Sequence, residues 1–103
     1  MAQFDVLRNP DPASAALAPY LVDLQADLLA HLSTRVVAPL IPPEDIVRAA
    51  RLHPVFIVEG RELVLAPEDL AAVRRNELGP VVGSLADRRA DVVNALDLLF
   101  TGI

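Results

Sequence analysis

Apolar and polar positions along this chain change period several times, and each change marks an element. Gln3 to Arg8 reads as a short strand, stopped by Asn9-Pro10-Asp11-Pro12, whose prolines cannot continue a ladder. The small residues Ala13 to Ala18 follow, then Pro19, so Asn9 to Pro19 reads as a loop. Over Tyr20 to Leu29 two periods compete. Tyr20, Val22, Leu24, Ala26 and Leu28 alternate with Asp23, Gln25 and Asp27, as in a half-buried strand. Leu17, Leu21, Leu24, Leu28 and Leu32 also fit a helix, and local propensity leans that way.

Thr34 to Leu40 is rich in strand formers, with Pro39 placing its end at an edge or a bulge. Ile41-Pro42-Pro43-Glu44 breaks the chain, and Asp45 to Leu52 is locally helical. A hairpin follows: Val55 to Val58 and Arg61 to Ala66 flank Glu59-Gly60, a two-residue turn with glycine available for positive φ. Pro67 to Leu70 reads as a helical turn opened by proline. A last strand around Val81-Val82 leads into Ser84.

The final stretch, Ser84 to Ile103, predicts a helix. Ser84 is placed as N-cap with Asp87 three residues on, a variant of the capping box. Leu85, Val92, Leu96 and Leu99 form one stripe for a core. Leu98, Phe100 and Ile103 add apolar surface off that stripe, at a terminus that usually frays and stays polar. Such a tail predicts either a dimer interface or a surface offered to a partner.

Composition sharpens that expectation. The 103 residues fit one domain, 1–103, with one core. They are 53% hydrophobic with a mean hydropathy of +0.41, more apolar surface than so small an interior can hold, which predicts an oligomer interface. No apolar run of about 18 residues spans a membrane. Met1 to Asp5 has no basic region followed by an apolar block, so no secretory signal is read and a cytoplasmic location is expected. Absent cysteine excludes disulfides and thiolate metal sites. A net charge of −5 argues against direct binding to nucleic acid, which needs clustered cations. All the basic residues are arginine. Arg74-Arg75 and Arg88-Arg89 read as solvated surface, the second pair with Asp87 or Asp91 as ion partners.

The patterns that carry catalysis are missing. His31 and His53 lack metal-site spacing, and His53 reads as a strand-edge residue before Pro54. Ser14, Ser33 and Ser84 suit capping or turns, and the four glycines form no phosphate-cradling loop. Neither an enzyme nor a cofactor or metal is predicted.

Taken together, several stretches resemble the CcdB family of gyrase-poisoning toxins from toxin–antitoxin systems. They are Gln3-Phe4-Asp5-Val6, Val22 to Leu29, Arg35 to Leu40, His53-Pro54-Val55 and Asp91 to Ile103. The match runs over nearly the whole chain, and its length differences fall in two stretches that read as loops, Asn9 to Pro19 and Ile41 to Arg51.

The resemblance implies a mainly β (α+β) fold: an SH3-like antiparallel barrel, a small extra sheet and one long C-terminal helix, in a homodimer. It turns Tyr20 to Leu29 into a strand and brings the helix ends of two protomers together near the two-fold axis. It implies binding to the DNA gyrase A subunit, trapping of the gyrase–DNA cleavage complex, neutralisation by a CcdA-like antitoxin, and a role in plasmid maintenance. The gyrase-facing residues it implies are Ala26, Leu28 and Leu29 on the strand and Asp97, Thr101, Gly102 and Ile103 on the tail, with Leu99 and Phe100 at the dimer interface. Strand alternation would let only one of Leu28 and Leu29 face inward.

Three positions depart from the family's pattern. Thr101 stands where the family's poisons carry a tryptophan that stacks on a gyrase arginine. Asp97 replaces a neutral amide, and Ala26 a hydroxyl. An alternative is therefore a member of this fold that has lost poisoning and binds only antitoxin or another target. A third reading is an endoribonuclease, since RNA-cleaving toxins share the barrel. That chemistry needs an arginine-lined groove with a general base, and the acidic balance weighs against it.

Overall fold

A computed structural model describes all 103 residues. Seven strands run as β1 (Asp5–Arg8), β2 (Tyr20–Asp23), β3 (Thr34–Ile41), β4 (Val55–Val58), β5 (Arg61–Leu65), β6 (Ala71–Arg74) and β7 (Val81–Ser84), followed by the helix α1 (Arg89–Thr101). All pairings are antiparallel, in the order β4-β5-β3-β2-β1-β7, with β6 also paired to β3. The result is a nearly closed barrel with one C-terminal helix, as the resemblance implies. The small extra sheet is not separate: the β4–β5 hairpin pairs with Leu40 and Ile41 of β3 and continues the same sheet.

The core follows strand alternation. Val6, Val22, Ala38 and Leu40 point to one face, where they meet Phe56, Leu63 and Leu65, and Leu85 and Val92 close it from the helix side. The other face carries Leu7, Leu21, Val37 and Pro39, partly roofed by the 9–18 loop. Asn9 shapes that loop, since its side-chain amide donates to Ser14 Oγ at 3.0 Å and to the Ala18 carbonyl at 2.8 Å.

Pro39 sits inside a central strand, not at its end. β6 takes Thr34 to Val37 on one edge of β3, and β5 takes Leu40 and Ile41 on that same edge. Pro39 falls in the seam between them, where its missing N–H removes no ladder bond. β6 itself escapes a sequence reading because Ala71-Ala72-Val73-Arg74 shows no alternation. It becomes a strand because β3 offers it an edge.

The hairpin forms as predicted. Glu59 and Gly60 both have positive φ, 51° and 75°, which suits the twist of a two-residue turn. The cost of a non-glycine residue there is offset by its carboxylate, which accepts from Arg8 Nη2 at 2.9 Å and Tyr20 Oη at 2.5 Å. Acceptance by Glu59, then burial, holds the Tyr20 phenol above its ordinary value of 10. The folded state thus keeps this proton more tightly than the unfolded chain. Its contribution is complete below pH 10 and fades as pH rises through the raised value. Tyr20→Phe should be less stable near neutrality by about 1.5–3 kcal/mol, for a hydrogen bond to a charged group. The gap should narrow above pH 10, and denaturant melts showing a constant gap would refute this linkage.

Two predicted helical stretches are corrected. Asp45 to Leu52 is a loop after a single 3₁₀ turn at Pro43–Asp45. It is pinned by His53, which is buried and not a bare strand-edge residue: its Nδ1 accepts from Ala49 N–H at 2.8 Å, and Nε2 faces Glu68 at 2.7 Å. The C-terminal helix starts at Arg89, not at Ser84. Ser84 ends β7 opposite Asp5, and its Oγ accepts from Ala86 N–H to start a 3₁₀ turn at Ala86–Arg88. Pairing with β1 removes these residues from the helix, so the capping box with Asp87 does not form.

Arg88 and Arg89 are more than solvated surface. Arg88 pairs with Asp91 at 2.7 Å, lies 4.5 Å from the Phe56 ring centroid and donates to the Val55 carbonyl. Arg89 lies over Phe4 at 5.4 Å. No helix is long and apolar enough to cross a membrane.

Candidate functional site

The resemblance places Ala26, Leu28 and Leu29 on a strand, but β2 ends at Asp23 and Asp27–Leu29 is a 3₁₀ turn. The cause is a set of polar side chains, Asp23 and Gln25 buried and Asp27 exposed, that offer the backbone other partners. Asp23 Oδ1 accepts from the Gln25 N–H at 3.0 Å. The Gln25 amide accepts from Val36 N–H at 3.0 Å and donates to the Leu29 carbonyl at 2.9 Å. Asp27 Oδ1 accepts from Gln3 N–H at 2.8 Å.

Behind this lies an ion pair, Arg35 Nε and Nη2 to Asp23 Oδ2 at 2.9 and 2.5 Å, with both side chains almost fully buried. The turn is therefore held rigidly from two sides. With no strand alternation, both leucines face outward, Leu28 87% exposed and Leu29 43%. The strand alternation that would let only one of them face inward does not apply to this turn.

The helix brings the other half. Val92 and Ala95 are buried, Leu96 and Leu99 are half-buried, and Phe100 is 68% exposed. The helix ends as the glycine pattern requires: Gly102 has φ 75° and its N–H bonds the Leu98 carbonyl. Ile103 lies beyond, 76% exposed, with its carbonyl oxygen bound by Arg51 Nη2. Thr101 Oγ1 donates to the Asp97 carbonyl at 2.7 Å, and Asp97 itself is exposed with no ion partner.

Between turn and helix runs an apolar groove of about 520 Å³. Of the predicted residues, Ala26, Leu29 and Phe100 line it. Leu28 stands beside it in solvent, while Asp97, Thr101, Gly102 and Ile103 lie outside the groove along the helix end. Leu32, Val36, Leu70 and Leu96 also line it, and sequence reasoning did not mark them. Leu32 and Leu96 were visible only as members of helical stripes. Arg51 carried no signal at all, since its contact with Ile103 spans the chain. No titratable side chain lines the groove, so the arrangement can bind an apolar surface but offers no group to move a proton. Arg74 and Arg75 form a separate polar hollow with Ser33 and Asn76.

The CcdB protein family model matches residues 3–102. The chain belongs to the CcdB family. A crystal structure of an Mtb toxin superposes with a TM-score of 0.72 at 17% identity, over 92% of this chain and 99% of that one, and supports the same fold. The turn residues Ala26 and Leu29 meet Phe100 of the helix in one groove, whereas Asp97, Thr101, Gly102 and Ile103 lie beyond it at the helix end.

Proposed function

We propose that this CcdB-family protein is a cytoplasmic toxin of a toxin–antitoxin pair, which as a homodimer binds the gyrase A subunit and traps the gyrase–DNA cleavage complex. A CcdA-like antitoxin segment that folds on binding neutralises it. The observation that carries this reading is the rigidly held Ala26–Leu29 turn beside the apolar helix end, with Leu28 and Ile103 exposed. A preorganised apolar patch with little to reorder on docking suits a hot-spot contact. Phe100 and the half-buried Leu99 supply the surface for a second copy.

A specific observation favours a second reading, in which the scaffold has lost poisoning. Thr101 turns its hydroxyl back onto the Asp97 carbonyl and offers no ring for a cation. Thr101→Trp should therefore raise affinity for the gyrase A dimerisation fragment by about 2 kcal/mol, roughly thirtyfold, the scale of a desolvated cation–π contact. Calorimetry on both proteins checks this. Tight binding by the unmodified chain supports poisoning through rewired contacts, while binding only by the variant supports the lost-contact reading. If neither protein binds, gyrase is the wrong target.

A further inference from the structure

Neighbouring residues of β3 serve opposite faces of the sheet: Val36 lines the tail groove, while Val37 and Pro39 line a larger cavity of about 660 Å³ on the outer face. The two sites share no residue. The outer floor is apolar, built from Leu21, Val37, Pro39 and Val73, and its rim carries the carboxylates of Asp11, Asp69 and Glu77. None of these three is ion-paired. Asp11 is also held in place, its oxygens accepting from Ala13 N–H at 2.9 Å and Ser14 Oγ at 3.3 Å.

The cavity adjoins an open strand edge. β6 pairs only with β3, and the bond from Arg75 N–H to the Ser33 carbonyl fixes the parity of that ladder. Val73 and Ala71 therefore turn their backbone groups to β3, and Ala72 turns its N–H and C=O away to the open edge. The side chains of Ala71 and Val73 line the cavity. A strand added along this edge would project alternate side chains over it. Exposed carboxylates alone attract a cation only weakly. Together with the apolar floor they select a side chain with an aliphatic stem and a charged head.

We propose that this outer face is a second binding site, which takes an extended arginine- or lysine-bearing segment of a protein partner along β6. It is independent of the tail groove and of any gyrase contact.

The test is NMR titration of the intact protein with a short capped peptide alternating valine and arginine. The controls are its isomer with glutamate for arginine, and spermidine. Saturable shifts at Leu21, Val37, Val73 and Leu78, slowed exchange of the Ala72 amide and no binding by the glutamate peptide are expected. The double variant Asp69→Asn, Glu77→Gln should weaken the arginine peptide about tenfold at low salt, since both lost charges flank the head group. Equal binding by the glutamate peptide, or binding by spermidine as tight as by the peptide, would overturn the assignment. So would shifts confined to the tail groove, or an Ala72 amide already protected before the peptide is added.

Discussion

Asp23→Asn is expected to destabilise the fold by about 3–5 kcal/mol, the scale for removing one partner of a buried ion pair. Arg35 is 1% exposed and would keep its charge with no counter-ion beside it. A domain of this size has a total stability of about 5–15 kcal/mol, so the variant should unfold at much lower urea. Replacing both partners with apolar residues of similar volume should recover much of the loss, because the penalty comes from the orphaned charge more than from the missing attraction. The effect reaches the site as well. Asp23 orients the Gln25 backbone, and the Gln25 amide holds the Ala26–Leu29 turn. A urea midpoint within error of the parent would show that water or a neighbour satisfies Arg35 and that the pair is not structural.

The opposite behaviour is expected of Leu28→Glu. This side chain is 87% exposed on a turn held by its neighbours, so stability should change by no more than about 0.5 kcal/mol. Binding to the gyrase A fragment should fall by about 2–4 kcal/mol, the range of hot-spot positions, because a carboxylate would have to be desolvated at an apolar contact. The measurement is calorimetry on the tightest-binding version of the chain, with a urea melt as control. Unchanged affinity at unchanged stability would remove the turn from the interface and leave the helix end alone.

What the sequence made legible follows from the range of the interactions concerned. The β4–β5 hairpin is local: glycine and flanking periodicity determine it, and it formed where predicted, whereas the helix expected to run to Ile103 stops at Thr101 with Gly102 as its cap. The turn at Asp27–Leu29 was hidden because Gln25 acts through Val36, far along the chain, and its alternating neighbours imitate a longer strand. β6 was hidden for a similar reason, since its conformation comes from β3 and not from Ala71–Arg74. Ser84 misled because a good capping residue was already held in a strand pair. At the site, the candidate residues could be named from resemblance, but their facing could not. A single early strand end turned both leucines outward, and only three of nine candidates meet in the groove.

Pro39 also has a meaning for how the chain finds its arrangement. In the native pairing its ring lies where no partner strand asks for a donor. Shifting β3 by one residue would turn that nitrogen toward β2, where the ladder needs an N–H, and would exchange the side chains of the two faces at once. Each such misalignment loses a hydrogen bond, about 0.5–1.5 kcal/mol, in addition to exposing core residues. One imino acid in the longest strand thus acts as an alignment key for the strands on both sides of it.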